Sequence, residues 1–259
     1  MTTNPYESPE TAGQLHQRNT FVPKSVVQWL SLIGVLLVLF ALLAPFPFGR
    51  PGVREAARRM ACGNNLKNIA LALQQYESIY GTLPPAYTVD ADGKPLHSWR
   101  TLILPYIEQK ALYDQIDLSK PWDDPANMAA HDAISKVYCC PSADLPKGKT
   151  TYLAAVAAGG CFRPSHPPSL ADVTDNKSLT LQVIEVPDDH AVHWMSPQDI
   201  DEALLAKLTG PVNSSHPNGA LAVFADGHTQ MLRHDLKPET LRAMISFAGN
   251  DDVVAQEGY

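Results

Sequence analysis

The sequence predicts an α+β protein in which a long N-terminal helix packs on an antiparallel β-sheet, with additional short helices. Three observations predict this class: an uncharged apolar run from Ser25, an amphipathic helical pattern that ends at Tyr80, and short strand-like segments in the remainder. We divide the chain into a flexible tail (1–24), a transmembrane helix (25–49), a globular domain (53–250) whose stem helix covers 53–80, and an acidic tail (251–259).

Composition limits the possible functions. Of the 259 residues, 45% are apolar and 18% are charged, which is sufficient for a buried core. The net charge of −7 argues against nucleic acid as a partner, because nucleic-acid-binding domains usually carry a basic face.

The apolar run predicts a membrane anchor. Residues 25–49 contain no charge, and the apolar run 26–44 within them supplies nearly the ~20 residues that a bilayer-spanning helix needs. Trp29 near one end, with Phe46 and Phe48 near the other, fits an interfacial aromatic belt. A buried core helix is the alternative, but such helices rarely run so far without a charge. A cleaved signal peptide has a shorter apolar core, and Pro45 directly after Ala44 disfavours cleavage. We expect an uncleaved single-pass segment in contact with lipid.

The charges around this run bear on its orientation. Two basic residues precede it and four follow it closely, namely Arg18 and Lys24, then Arg50, Arg54, Arg58 and Arg59. The positive-inside rule alone would therefore place the C-terminal domain in the cytoplasm.

The stem helix has one apolar stripe. Apolar side chains recur on it at alternating spacings of four and three, which is a helical period: Cys62, Leu66, Ile69, Leu73, Tyr76 and Tyr80. The pair Pro51-Gly52 breaks the preceding helix, Gly81 supplies the C-terminal stop, and Pro84-Pro85 prevents continuation.

Short elements fill the rest of the domain. We expect a short helix capped by Ser98, a hairpin of 219–225 and 228–233 around Asp226-Gly227, and a last helix from Pro238 to Gly249. Ser196 and Pro197 predict the start of a helix over 199–208. Further helical segments are expected at 108–115 and 124–135, and strands at 136–140, 151–157 and 178–186.

The four cysteines are Cys62, Cys139, Cys140 and Cys161, and none forms a C-x-x-C pair. One or two disulfides are expected if the domain lies outside the cytosol. Cys139 and Cys140 are adjacent and should not pair with each other, because a vicinal disulfide is strained. Four cysteines allow three complete pairings, and the sequence does not choose among them.

Candidate metal ligands are few, and we expect neither a metal nor another cofactor. His190 and His193 are three residues apart, but Pro187 predicts a loop there. His216, Asp226 and His228 bracket the expected hairpin and form a weak candidate cation site, but a tight turn at Asp226-Gly227 is the preferred interpretation.

No recognisable catalytic motif is present, whether a G-x-S-x-G elbow, a Walker loop, an H-E-x-x-H helix or a Rossmann fingerprint. We therefore expect no catalytic residue and no enzymatic activity. Aromatic residues are dense between 76 and 122 and predict either a core around the stem helix or a glycan- or peptide-binding patch.

Several blocks carry a resemblance to a known family. They are 54–73, Tyr80-Gly81-Thr82-Leu83-Pro84-Pro85, Ser98-Trp99-Arg100, 104–109, Pro121-Trp122-Asp123, Cys140-Pro141-Ser142, and His216 followed after nine residues by Asp226-Gly227. Together they closely resemble a large bacterial domain family of unknown function with a prepilin-type N-terminal helix and an H-x9-DG signature. Its members are similar to pseudopilins of type II secretion. The resemblance implies a pilin-like fold with a cytoplasmic N-terminus, which would place the domain outside the cytoplasm.

The chain departs from the prepilin pattern at its apolar run. Prepilins carry Gly before Phe and Glu at the fifth mature position, whereas Thr20 precedes Phe21 here and Ser25 stands at the fifth position. We therefore expect an anchor rather than a polymerisation element.

These observations predict a non-catalytic, pseudopilin-like protein of the inner (cytoplasmic) membrane. It would be a structural or interaction component of a secretion or cell-surface assembly. Contacts to protein partners or to further copies of the chain are expected through the stem helix. The alternative is an anchored binding module for a cation, glycan or peptide.

Overall fold

The computed structural model describes residues 23–43, 51–133, 135–156, 159–208, 215–216, 219–233 and 235–249. The expected acidic tail (251–259) and nearly all of the expected flexible tail (1–24) lie outside these residues. The chain divides into two compact units, 1–49 and 50–259.

The first unit contains helix α1 (Lys24–Leu43). Its side chains are exposed at every position described, from Lys24 to Phe40. Across the described residues, no helix combines the length and apolarity that crossing a membrane requires.

The second unit begins with helix α2 (Pro51–Tyr80), which contains the predicted stem helix. It starts at Pro51 itself, because proline is compatible with the first helical position, where no intrahelical N–H bond is lost. Gly81, at φ +77°, ends the helix by donating its N–H to the Glu77 carbonyl at 2.7 Å.

The remaining elements of this unit are short. The helices are α3 (Trp99–Leu102), α4 (Lys110–Tyr113), α5 (Met128–His131), α6 (Glu202–Lys207) and α7 (Pro238–Ile245). The strands are β1 (Tyr87–Val89), β2 (Pro95–Ser98), β3 (Lys149–Thr150), β4 (Tyr152–Ala154), β5 (Leu181–Glu185), β6 (Val192–His193), β7 (Ala220–Phe224) and β8 (Thr229–Leu232). Single 3-10 turns cover Leu104–Ile107, Pro125–Asn127, Lys136–Tyr138, Leu170–Asp172 and Asp188–His190.

A four-stranded antiparallel sheet with the order β4-β5-β7-β8 forms the centre of this unit. One face contributes Val183 and Val223 to a core shared with the buried side of α2. The opposite face contributes Ile184 and Phe224 to a second core with α6 and α7. The predicted α+β class, with a long helix on an antiparallel sheet and additional short helices, is confirmed.

Several local predictions are confirmed. Ser98 caps α3 by accepting the Arg100 N–H at 3.0 Å. Strands β7 and β8 form the expected hairpin, with Ala220 opposite Leu232, and Pro238 opens α7. The last helix, however, ends at Ile245 rather than at Gly249.

Two other local predictions are wrong. The strand expected at 136–140 is instead the 3-10 turn Lys136–Tyr138, which buries the Tyr138 ring so that its hydroxyl donates to the Arg100 carbonyl at 2.7 Å. The helix expected from Asp199 starts at Glu202, and Asp201 caps it. Asp199 is unavailable because its carboxylate is turned inward to Arg100, 2.7 Å away.

The remaining expected segments are shorter than predicted. Helix α4 covers only Lys110–Tyr113 of 108–115, and 124–135 resolves into the 3-10 turn Pro125–Asn127 followed by α5. Strand β4 is limited to Tyr152–Ala154, and β5 to Leu181–Glu185.

Candidate functional site

Four potential ligand side chains converge between α2 and the sheet. We call Cys62, Cys140, Glu185 and His216 the cysteine–histidine cluster. One ligand-type atom from each residue lies within 4.8 Å of the others, and all four residues are buried. The cluster joins residues that are as much as 154 positions apart in sequence (216 − 62).

Helix α2 and the segment after the Lys136–Tyr138 turn position the two cysteines. Cys62 lies on the buried side of α2 and forms a disulfide with Cys140, with Cα atoms 5.2 Å apart. The Asn65 side chain, one turn further along α2, donates to the Cys139 carbonyl at 2.9 Å. The disulfide and this hydrogen bond fix the cysteine segment against the helix.

His216 contacts α2 through its ring nitrogen Nδ1, while Nε2 faces the cluster. Its Nδ1 lies 2.8 Å from Glu55 Oε1, and since a carboxylate can only accept, Nδ1 carries the proton and donates. This hydrogen bond is the main cause of the lowered pKa of Glu55. His216 Nε2 lies 3.4 Å from Glu185 Oε2 and 3.6 Å from Cys140 Sγ.

Glu185 is an acidic side chain at the end of a fully buried strand. Its side chain is 0% exposed, and neither carboxylate oxygen has a hydrogen-bond partner among the described residues. Burial raises the pKa of Glu185 to about 7, and the nearby Leu221 amide and Ser215 hydroxyl oppose that rise. Neither group makes a hydrogen bond of good geometry with the carboxylate, since the Ser215 hydroxyl donates to Asp188 at 2.8 Å. Burying the ionised form of this carboxyl group without a partner costs free energy, unless the group is protonated or a cation binds to it.

Asp226 and Gly227 form the turn between β7 and β8 and contact α2 at a second place. Gln74 donates to the Asp226 carbonyl at 3.2 Å. Gly227 has φ +89°, a backbone conformation that favours glycine, and a Cβ there would displace the flexible end of the Gln74 side chain. His216 and Asp226-Gly227 thus connect the β7 segment to α2 through Glu55 and Gln74.

The structure does not bring the candidate cation ligands His216, Asp226 and His228 together. His228 Nδ1 lies 2.6 Å from Asp226 Oδ1 in the half-exposed hairpin turn. His216 is fully buried in the cysteine–histidine cluster. In the part of the chain that is described, the group with metal-ligand geometry contains neither Asp226 nor His228.

His190 and His193 also have different surroundings. The His193 ring stacks on His131 with centroids 3.9 Å apart and on Trp122 at 5.1 Å. Burial, with the nearby His131, lowers the pKa of His193 to about 4. His190 Nε2 instead lies 4.0 Å from Asp189.

The other two cysteines are free thiols. Cys139 is partly exposed, and burial raises its pKa. Cys161 is fully buried, which raises its pKa to about 12 and leaves it protonated at neutral pH.

The predicted stem-helix core side chains occupy two environments. Cys62, Leu66, Ile69 and Leu73 are fully buried, and Tyr76 is partly buried. Tyr80 is 60% exposed, although its ring lies 4.3 Å from that of Tyr76.

Beside α2 runs a largely polar groove of about 420 Å³, lined by residues that include Asn65, Asn68, Tyr106, Glu108 and Lys136.

Sequence reasoning missed the two acidic members of this site, Glu55 and Glu185. For Glu185 a signal existed, because it is a charged residue in the otherwise uncharged stretch 178–187 that the sequence predicts to contain a strand. For Glu55 no signal was available, since a charged residue in the first turns of a helix is ordinary.

Fold and site together define an α+β domain whose long helix is joined by a disulfide to the segment after the Lys136–Tyr138 turn, and by the Glu55–His216 hydrogen bond to the segment before β7. The model of a protein family of unknown function (SBP_bac_10, DUF1559) matches residues 52–159, which run from the start of α2 to just beyond β4. No curated protein and no solved structure matches the chain.

Proposed function

We propose that this chain is a non-catalytic, pseudopilin-like protein of the cell envelope, anchored in the inner membrane by segment 25–49. Its role would be structural, as an interaction component of a secretion or cell-surface assembly. The domain from residue 50 onward would lie on the extracytoplasmic side.

The observation that carries this proposal is the surface of α1. Its described large apolar side chains are all exposed, between 43% for Val26 and 72% for Phe40. Exposed apolar surface of this extent marks an interaction with lipid or with another apolar surface. The uncharged segment continues in sequence to Gly49, beyond the described helix, and so reaches the length of a bilayer span.

The disulfide supports an extracytoplasmic domain. Disulfides persist in oxidising compartments and are rare in the cytosol. The four arginines within 50–59 would place the domain in the cytoplasm by the positive-inside rule. The Cys62–Cys140 disulfide favours the opposite placement. On the proposed side of the membrane these arginines can contact anionic lipid headgroups.

A pilin-like architecture is supported by the arrangement of α2 and by the family match over residues 52–159. In this proposal the H-x9-DG residues have a structural role. His216 at one end and Asp226-Gly227 at the other connect the β7 segment to α2, through Glu55 and Gln74 respectively. Such a role needs no turnover.

The outer face of α2 is the surface we propose for partner contacts. Val53, Met60 and Leu71 are 62%, 69% and 51% exposed. At 3.6 residues per turn they lie within roughly 20° of one line along the helix, opposite the buried stripe. A second copy of the chain or another helical envelope protein would cover this line.

Arginine substitutions in α1 test the anchor. Leu36→Arg combined with Leu39→Arg should move the full chain from the membrane pellet to the soluble or aggregated fraction. Each arginine at a helix centre costs about 2.5 to 3.5 kcal/mol of insertion free energy. The matched control is Ser25→Arg at the edge of the segment, which should leave carbonate-resistant membrane association intact. Equal fractionation of the double variant and the wild type would contradict the proposal.

The polar groove beside α2 favours a second candidate function, an anchored binding module. Its volume of about 420 Å³ and its lining, in which amide, aromatic and charged side chains lie beside Leu71, Ile107 and Val137, suit a short peptide or a glycan. Ligand binding to the folded state should raise the melting temperature of the full chain in a screen of peptides, oligosaccharides and Ca²⁺. Asn68→Ala should remove that shift.

A further inference from the structure

The cysteine–histidine cluster has the composition of a tetrahedral metal site, and its ligand atoms lie close enough together to share one ion. Two sulfurs, one imidazole nitrogen and one carboxylate oxygen approach one another within 4.8 Å inside the protein. Zinc is bound in proteins by these ligand types in this number. A metal site here goes beyond the proposed envelope function, with which it shares the Cys62–Cys140 disulfide.

Two of the six distances between ligand atoms agree with those of a zinc tetrahedron. With Zn–N and Zn–O bonds near 2.1 Å and Zn–S bonds near 2.3 Å, tetrahedral edges are roughly 3.4 Å for N···O and 3.6 Å for N···S. His216 Nε2 lies 3.4 Å from Glu185 Oε2 and 3.6 Å from Cys140 Sγ. The two cysteine sulfurs, once no longer bonded to each other, would need a separation of roughly 3.8 Å.

Glu185 is the second, independent observation. It is completely buried, and neither of its oxygens has a hydrogen-bond partner among the described residues. Its carboxylate is directed at His216 and the cysteine pair. A cation at the centre of the cluster would satisfy this group.

The hydrogen bond from His216 Nδ1 to Glu55 completes the arrangement. Histidines that bind a metal usually donate their other ring N–H to a carboxylate, which fixes the tautomer and the ring orientation. The 2.8 Å bond to Glu55 places the proton on Nδ1, so that in the neutral ring the Nε2 lone pair faces the cluster.

We infer that Cys62, Cys140, Glu185 and His216 bind one Zn²⁺ when the Cys62–Cys140 disulfide is reduced. The disulfide and the metal are alternative ways to connect Cys62 on α2 with Cys140. A dithiol reductant supplies two electrons and two protons and becomes a disulfide, while the Cys62–Cys140 bond breaks to two thiols. Zinc then displaces both thiol protons to solvent, and each sulfur binds as a thiolate.

The ligand set selects the cation. Thiolates and imidazole favour Zn²⁺ over the hard cations Ca²⁺ and Mg²⁺, which require oxygen ligands. All four positions of the tetrahedron are filled by protein and buried, which is the pattern of a structural rather than a catalytic zinc site.

Metal titration of the reduced full chain in detergent micelles tests the inference. A Cys139→Ser, Cys161→Ser background removes the other two thiols. After phosphine reduction it should bind one equivalent of Zn²⁺ in competition with a chromogenic chelator. With Co²⁺ it should show thiolate-to-metal charge transfer and the intense visible bands of tetrahedral coordination. The oxidised protein should bind at least tenfold more weakly.

Two variants in this background assign the ligands. Glu185→Gln keeps the side-chain shape and should weaken Zn²⁺ binding at least tenfold. Glu55→Gln should weaken it 10- to 100-fold, the usual effect of losing the carboxylate behind a ligating histidine. Asp226→Asn, in the hairpin turn, should bind as tightly as the background.

Reduction of the disulfide could itself loosen the tertiary packing. Near-UV circular dichroism, which reports that packing, therefore accompanies the titration. Recovery of the native spectrum on adding Zn²⁺ supports the site. The inference is overturned if the reduced protein, folded or not, takes up no stoichiometric Zn²⁺, if the oxidised protein binds equally well, or if Glu185→Gln binds unchanged.

Discussion

At the scale of single residues, Arg100 connects segments that are far apart in sequence. It is fully buried and donates to the carbonyls of Tyr152, Trp194, Ser196 and Gln198 at 2.9 to 3.1 Å. Its guanidinium also forms a 2.7 Å ion pair with Asp199, whose side chain is 2% exposed. Burial raises the pKa of Asp199, and the adjacent guanidinium opposes that rise. The Ser98-Trp99-Arg100 block therefore stabilises the loops around β4 and α6.

Breaking this pair should be strongly destabilising. Arg100→Met leaves the Asp199 carboxylate buried without its cation, and such losses typically cost about 3 to 5 kcal/mol of unfolding free energy. Denaturant unfolding of the purified protein measures the change. Arg242→Met is the matched control, because the Arg242–Glu202 pair has the same 2.7 Å distance but side chains 50% and 57% exposed. It should cost less than about 1 kcal/mol. Similar losses for both variants would contradict the role given to Arg100.

His193 makes stability depend on pH. Its pKa is about 4 in the folded protein against an ordinary value of 6.5, so between these values the unfolded chain binds more protons. The contribution of neutral His193 is thus fully present above pH 6.5 and is lost as pH falls toward 4. His193→Phe keeps a flat ring against His131 and Trp122 but does not titrate. Its unfolding free energy should fall less between pH 7 and pH 5 than that of the wild type, and an equal fall would rule out His193 as the source.

At the scale of elements, α2 shows which features local pattern can predict. A single buried side repeats every three to four residues, so Cys62, Leu66, Ile69 and Leu73 could be recognised from spacing alone. Strand β5 shows the limit. A strand with one face in solvent alternates buried and exposed residues, but all five residues of β5 are buried because α2 covers one face of the sheet and α6 and α7 cover the other.

The other errors have tertiary causes. The segment 136–140 has the composition of a strand, yet the Tyr138 hydrogen bond to Arg100 and the Cys140 disulfide fold it into a turn against α2. The site was predictable only in part. The resemblance includes His216 and Cys140 among its matching blocks. That these two residues lie next to Glu185 depends on how the sheet packs on the helix, which the sequence does not show.

Two leucines on α2 test the division between its faces. Leu73→Asp places a charge in the core, where Leu73 is 0% exposed, and should unfold the domain or lower its melting temperature sharply. Leu71→Asp lies on the outer face at 51% exposure and should leave the melting temperature nearly unchanged. It should nevertheless reduce chemical crosslinking to neighbours in membranes if that face binds a partner. Equal destabilisation by both would contradict the assignment of faces.

At the scale of the whole molecule, two units with different surfaces share one chain. Unit 1–49 contains a helix whose described side chains are exposed and largely apolar, and unit 50–259 contains two buried cores around a sheet. The Cys62–Cys140 disulfide closes a separation of 78 residues within the second unit. In the function that we propose, a membrane anchor followed by an extracytoplasmic domain would account for both the apolar helix and the disulfide.

Protease accessibility of the full chain in its membrane tests this account most directly. Cells producing the chain are converted to spheroplasts and, separately, to inverted inner-membrane vesicles, and both are treated with protease. We expect the protein to sediment with the inner membrane, resist carbonate extraction, and lose residues 50–259 in spheroplasts but not in inverted vesicles. A chain that remains in the soluble fraction, or is digested only in inverted vesicles, would contradict the anchored, extracytoplasmic assignment.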